Sequence, residues 1–576
     1  MRWSTWSVAL CLCLLSGCSQ GEGPGKEPER RIPEPTRTGP SPSPSPPRPV
    51  LRTATPTPAP SATADSSPSP AATVAHPDLA REPRPRSTLA LRLPPAQAPS
   101  PQDERAASNL WEQAESSGMA SDYRKAGEKA LSLHLYNRAV ASFRKEAAIY
   151  RSKGLPQAAL AQESRAREYD TRLSLYLSDV PSKSSRAMER LEPESGCYIG
   201  AFIDRDANLK QFMEGSQTHG DVDQFNTMMK KRHSSFFMYR SYGQPFPTAW
   251  AEYLKERDAI VHIAWEPKSL EQVRDDAYLR QFVDELVALD HPVMLRFASE
   301  MNGEWTPYHG NPEAYKTAFR LIHQATRRAP KVAVMWCPNT VPREGLEAYY
   351  PGDQWVDWVG VNFYSVPFMD NDRSRPGERV HPTDQLQAVY DLYAARKPIA
   401  IGEWAASRES KAKPGPMTPF AKGKISQLYA TLPTRYPRVK MVNWYDSNNL
   451  VQASPSRQLN NYQVTAPADL RNHYARAVAS DYYLAAGKPT AGLAYREIQG
   501  RTEVAQASWF RISLQPYEPN PKVYFRLNGN LVLATADALD WRLGPENWVE
   551  GKNVVEVSVY DRSDRLITQA KAALDR

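Results

Sequence analysis

Cysteine is scarce in this chain. Of five in 576 residues, three fall within the first eighteen positions, so Cys197 and Cys337 are the sole thiols of everything that follows. Two thiols build no disulfide framework, and the fold must rest on burial; the expectation is two buried thiols rather than a bridge. No cysteine or histidine set has zinc-site spacing. A long Lys/Arg tract is also missing. The formal charge of +8 is the small difference between 72 basic and 64 acidic residues scattered along the chain, a mildly basic surface and not a nucleic-acid footprint. No motif calls for a metal, a nucleotide or a redox cofactor, so no cofactor is expected. The longest apolar run, near the start, has roughly ten residues, too few to span a bilayer.

Proline, by contrast, is abundant at 51 residues, and its distribution divides the chain. The opening MRWSTWSVALCLCLLSGCSQG has an early arginine, a short apolar core and then small residues, the build of a secretory signal. Its end, Leu15 to Cys18, resembles the lipobox of bacterial lipoproteins. That resemblance implies cleavage before Cys18, a lipid on its thiol, and a membrane attachment at the cell envelope; Ser19 favours the outer membrane if the host is Gram-negative. Residues 19–103 are Pro, Ser, Thr and Ala with isolated charges, as in GPSPSPSPPRPV. Such a stretch buries too little apolar area to offset the entropy of ordering, and reads as a stalk.

Residues 104–185 change character to Ala, Leu, Lys, Arg and Glu, with Tyr136, Ala139, Phe143, Ala147 and Tyr150 at helical spacing. Gly127, Ala139 and Phe143 sit at offsets resembling a tetratricopeptide helix pair. Under two repeats are covered, so a helical hairpin packed on the next domain is expected, with a protein partner as the other use of the segment.

From residue 193 to 490, eight short apolar runs alternate with amphipathic stretches. The runs are CYIGAF (197–202), SFFMY (235–239), AIVHIAW (259–265), PVMLRF (292–297), VAVMW (332–336), VDWVGV (356–361), PIAIG (398–402) and VKMVNW (439–444). Eight buried strands alternating with helices over such a length predict a (β/α)8 TIM barrel. A doubly wound sheet would want a Gly-rich phosphate turn, and none follows these runs. Residues 500–572 alternate with period two, as in Val555, Val557 and Val559, around a hairpin signal at Asn528 and Gly529. They predict a small β-sandwich, immunoglobulin-like.

Catalytic groups of such a barrel gather where strands end and the following loops begin. Glu300 follows the fourth run and Glu403 the seventh, which faces two carboxylates across one mouth. Carboxyls about 5 Å apart would hydrolyse a glycoside with retention, and a gap of roughly 6.5 to 9.5 Å with inversion. Arg296, within the fourth run, would lie in the barrel or at its rim and needs an anion such as Glu403.

The segments RFASEMNGEWTPY (296–308), VMWCPNT (334–340), YYPGDQWVDWVGVNFYS (349–365) and KPIAIGEWA (397–405) resemble, in order and spacing, glycoside hydrolase family 26, whose best-known members are β-mannanases. The resemblance implies Glu300 as general acid/base, Glu403 as nucleophile, Tyr364 as the tyrosine holding that nucleophile, and Trp305 and Trp444 as aromatic surfaces for sugar. Asn302 is expected to donate to sugar hydroxyls. Two departures stand out. Ser299 occupies the place of the family's usual histidine, and Asn362 that of a common aspartate, which puts ordinary mannan in question. The resulting expectation is an exported, lipid-anchored endo-β-glycosidase of the retaining type. Its polysaccharide would be β-1,4-mannan first, with β-glucan, β-xylan or a self-produced exopolysaccharide as rivals. A polysaccharide-binding or scaffold lipoprotein without catalysis is the alternative, against which the pair of carboxylates speaks.

Overall fold

The computed structural model describes residues 99–575 apart from 134, 171, 180–186, 489–491, 499–500, 504–507, 516–520, 536–539, 544–548 and 562–563. The signal, Cys18 and nearly all of the stalk therefore lie outside the described residues.

Eight parallel strands close on themselves: Cys197–Arg205, Ser235–Ser241, Ile260–Glu266, Val293–Phe297, Val332–Trp336, Trp358–Asn362, Ile399–Trp404 and Val439–Ser447, with the eighth pairing the first at Met441 and Tyr198. Each of the eight apolar runs became one of these strands. Strands buried on both faces read as continuous apolar runs, and period-two alternation sorts their side chains. Tyr198, Ile260, Met294, Met335, Trp358, Ala400 and Met441 form one buried cluster. Their neighbours Ile199, Val261, Leu295, Val334, Val359, Ile401 and Val442 belong to another, together with Phe282, Phe319, Leu386, Leu428 and Tyr474 of the surrounding helices. The first set fills the barrel and the second seats the helices. Cys197 falls in the outer cluster and Cys337 in the inner one, both unbridged.

Above the greasy floor the interior turns polar, and small residues make the room. A Cβ added to Gly402 would lie 2.5 Å from Asn362 Oδ1 and 3.2 Å from Arg296 Nη1. Glycine at this point of the seventh strand is what lets a guanidinium sit inside the barrel.

Among the described residues before the barrel come four helices, Pro101–Ser117, Ala120–Ser132, Tyr136–Ser152 and Pro156–Tyr169. Ser100 caps the first by accepting from Asp103 N–H, and Gly118 ends it at a left-handed φ of 62°. Gly127 of the second helix lies against the Phe143 ring of the third, where a Cβ would come within 2.6 Å. Residues 172–179 correct the sequence reading. Expected as the end of a helical segment, Arg172–Asp179 is a strand that pairs antiparallel with Ser508–Gln515 and Ala494–Glu497. Its sequence RLSLYLSD alternates with period two, and Leu175 and Leu177 join Phe510, Ile512, Phe525, Val555 and Val557 in one core. A strand N-terminal to the barrel thus completes a sheet C-terminal to it.

That four-stranded sheet faces a five-stranded one made of Arg501–Glu503, Leu566–Asp575, Lys552–Tyr560, Lys522–Leu527 and Asn530–Thr535. Asn528 and Gly529, at φ 52° and 81°, turn the hairpin between the last two.

Candidate active site

At the C-terminal end of the fourth strand the backbone takes an unusual path. Ala298 and Glu300 both hold positive φ, 45° and 64°, a region that side chains with a Cβ occupy at a cost of about 1–3 kcal/mol. The Glu300 N–H donates to the Cys337 carbonyl at 2.8 Å, tying the turn to the end of the fifth strand. The kink swings the Glu300 side chain over the mouth. There Oε1 accepts from Asn362 Nδ2 at 2.7 Å and Oε2 from the Trp305 indole N–H at 3.0 Å. The indole itself folds over Gly303, where a Cβ would lie 2.2 Å from the ring.

Glu403 lies at the end of the seventh strand, where the pairing register slips between Ile401 and Glu403. Three donors surround it. The Tyr239 hydroxyl donates to Oε1 at 2.6 Å, the Tyr364 hydroxyl to Oε2 at 2.6 Å, and Arg296 Nη2 lies 2.6 Å from Oε1. Arg296, fully enclosed, also donates through Nη1 to Asn362 Oδ1 at 3.3 Å and lies over the Phe237 ring at 5.0 Å. Asn362 therefore links the surroundings of the two carboxylates, its amide giving to Glu300 and taking from Arg296.

The environments of the pair differ in kind. Burial, first, and the charge of Glu403, second, push the Glu300 carboxyl well above the usual carboxylate range, against the pull of Asn362 and Trp305. Glu403 instead has a buried cation and two phenols. One group is held as an acid and the other is clasped by a guanidinium and two hydroxyl donors, the division of labour that two-carboxylate chemistry requires.

Of the residues expected at the site, Glu300, Glu403, Arg296, Tyr364 and Trp305 come together. Two do not serve as expected. Trp444 was expected as a sugar platform, but its side chain points out of the barrel: it packs edge-on against Trp404 and Tyr474 and donates its indole N–H to Tyr462 O at 3.1 Å. The cause is strand alternation. Trp444 pairs with Trp404 across the register, both outward, while Tyr445 turns in against Phe202 and Tyr364. Asn302, expected to bind sugar, uses its amide to clasp the next loop. Nδ2 donates to Asn339 O at 2.9 Å and Pro342 O at 2.8 Å, while Oδ1 accepts from Asn339 N–H at 2.9 Å.

Sequence reasoning missed Tyr239, which lies two residues before the end of the second strand; its place as the last residue of the run SFFMY was the signal. It also missed Glu266, the last residue of the third strand and a third buried carboxylate at the mouth. Among the described residues no group of three or more His, Cys, Asp or Glu side chains is arranged to hold a metal ion.

Residues 256–375 match the family model described as "Glycosyl hydrolase family 26". "Endoglucanase H" of Acetivibrio thermocellus is 26% identical over 220 residues, 34% of this chain and 23% of that protein. A "Beta-1,3-xylanase" of Alcaligenes sp is 32% identical over 114 residues, 18% of this chain and 24% of that protein. The chain thus spans about a quarter of the length of these two curated relatives. Among solved structures, a GH26 β-mannanase from Bacteroides ovatus is similar at a TM-score of 0.35 and 16% identity, covering 49% of this chain and 89% of that one.

Proposed function

The barrel is a glycosyl hydrolase family 26 domain, and on that premise we propose that the chain is an endo-acting β-glycosidase that cuts a β-linked polysaccharide by retaining double displacement. The observation that carries this reading is the pair of environments at the mouth: Glu300 holds its proton by burial, and Glu403 is fixed by Arg296, Tyr239 and Tyr364.

In the first step Glu403 attacks the anomeric carbon while Glu300 gives its proton to the departing glycosidic oxygen. The carbon–oxygen bond of the glycoside breaks as the ester to Glu403 forms. That ester removes the negative charge which helped Glu300 keep its proton. Glu300, now ionised, meets less repulsion and can serve as base. It takes a proton from water, the water oxygen attacks the anomeric carbon, and the Glu403 carboxylate leaves. Tyr239 and Tyr364 hold Glu403 oriented for both displacements.

For the backbone sugar, β-1,4-mannan, placed first by the sequence resemblance, stands beside the glucan and β-1,3-xylan suggested by the names of the two curated relatives. The substitution at Ser299 supports testing all three equally. By the lipobox resemblance at Cys18 the enzyme is exported and held at the cell envelope by lipid, and Cys18→Ala should release it from membranes.

The test is a panel of these three polysaccharides, assayed for new reducing ends with wild type, Glu300→Gln and Glu403→Ala. Wild type should release ends from at least one, Glu300→Gln should lose about 10² to 10⁴ in rate, and Glu403→Ala should release none. No release from any polysaccharide, or release that survives Glu403→Ala, refutes the reading.

A further inference from the structure

Neither displacement uses the third carboxylate. Glu266 closes the third strand and is 4% exposed. Both of its oxygens are engaged by residues that flank Glu300. Ser299 Oγ donates to Oε1 at 2.5 Å, the Ser299 N–H points at Oε2 from 3.2 Å, and the Tyr308 hydroxyl oxygen stands 2.6 Å from Oε2. The same hydroxyl oxygen also stands 2.6 Å from the Ser299 carbonyl oxygen.

One phenolic proton shared between two acceptors makes two long, bent bonds, not two contacts of 2.6 Å, and neither an ionised carboxylate nor a carbonyl brings a proton of its own. A protonated Glu266 resolves the arrangement. Its Oε2–H donates to the phenol oxygen, the phenol donates to Ser299 O, and Oε1 accepts from Ser299 Oγ.

We propose that Glu266 is a neutral carboxyl that positions the acid turn, locking residues 298–300 in the strained path that aims Glu300 across the mouth. The inference rests on the reading of Glu300 as the acid. Cys337 O holds one side of the turn through the Glu300 N–H, and Glu266 with Tyr308 holds the other through the N–H, hydroxyl and carbonyl of Ser299. The charged and titratable groups around Glu266 are Arg296 of the fourth strand, Cys337 beyond the fifth, Glu403 of the seventh, Tyr308 of the loop and Tyr315 of the helix Pro312–Thr326. Burial is the largest influence and raises the carboxyl above its usual range; the bonds from Ser299 and Tyr308 and the charge of Arg296 oppose it, and Glu403 adds to it. The serine at 299 also finds a reason here. Its short hydroxyl is what reaches Glu266 at 2.5 Å.

The experiment compares Glu266→Gln, which keeps a donor and an acceptor without charge, with Glu266→Ala and Glu300→Gln. Infrared difference spectra at neutral pH read the protonated-carboxyl C=O band. The ¹⁵N-indole resonance of Trp305, assigned with Trp305→Phe, reads whether Glu300 still stands against it. Kinetics use whichever of the three polysaccharides the wild type cuts. Glu266→Gln should remove a carboxylic band that Glu300→Gln leaves in place. Glu266→Ala should displace the Trp305 resonance and lower kcat by about 10²-fold with KM little changed, the loss expected of a misaimed catalytic group. Glu266→Gln should rescue both the resonance and most of kcat. Any one of three results overturns the proposal: no band lost in Glu266→Gln, no movement of Trp305 in Glu266→Ala, or Glu266→Gln as inactive as Glu300→Gln. Should no polysaccharide be cut, the glycosidase reading falls, while the infrared and resonance results still decide the state and role of Glu266.

Discussion

Arg296 Nη2 and Glu403 Oε1 lie 2.6 Å apart, with both side chains sealed from solvent inside the barrel. Removing one partner of a buried pair leaves the other charge uncompensated, at a cost of about 3–5 kcal/mol. Arg296→Met should therefore lower stability by that amount. Combining it with Glu403→Gln should recover part of the loss, because the stranded charge is then gone. Calorimetric unfolding of the two single variants and the double variant checks this; strictly additive losses would mean the pair is not coupled.

Glu300 ties stability to pH in a definite direction. Its folded pKa is raised, so the native state keeps a proton that the unfolded chain, with a carboxyl near 4.5, gives up. The contribution of this group to stability is full below that value and is lost as pH rises toward the folded one. Glu300→Gln has no proton to lose. Its melting temperature should gain on that of wild type as pH climbs from about 4 to about 8, and a constant difference would contradict the raised pKa.

Asn362 is the amide that links the two carboxylate environments, and it stands where the family resemblance has an aspartate. Its Nδ2 donates to Glu300 Oε1 at 2.7 Å, a bond that favours the ionised form. Asn362→Asp removes that donor and adds a charge, so Glu300 should hold its proton more tightly. The alkaline limb of kcat/KM is expected to move up by about one pH unit. A limb that moves down would mean the added charge acts mainly through Arg296.

Trp444 offers a contrast between platform and packing. Because its ring lies among Trp404 and Tyr474 outside the barrel, Trp444→Phe should cost about 1–3 kcal/mol of stability through the lost N–H bond and volume. KM should stay close to wild type. A large rise in KM with unchanged stability would return the residue to the cleft.

Much of this was legible in the residues themselves. The eight runs became eight strands because a parallel barrel buries both faces of each strand, and continuous apolar runs are how that burial is written. Glu300 and Glu403 were legible because strand ends can be counted. What failed to read out was direction. Trp444 and Tyr445 are adjacent, and only the register of the closed sheet decides which enters the mouth. Asn302 has the chemistry to bind a sugar, and only the path of the following loop shows its amide already committed. Arg172–Asp179 carried its period-two pattern openly, yet its partners lie more than three hundred residues later, beyond any local window. Glu266 was hidden for a similar reason, since its meaning lies in Ser299 and Tyr308, brought to it by the fourth strand and the loop beyond.

The central claim is that Glu403 attacks and Glu300 first gives and then takes a proton. Proton NMR of the anomeric signals during early hydrolysis of the polysaccharide that the wild type cuts tests it most directly. The account predicts that the β-anomer of the new reducing end accumulates first, with the α-anomer following only by mutarotation, and that neither forms with Glu403→Ala. First formation of the α-anomer, or product formed without Glu403, would contradict it.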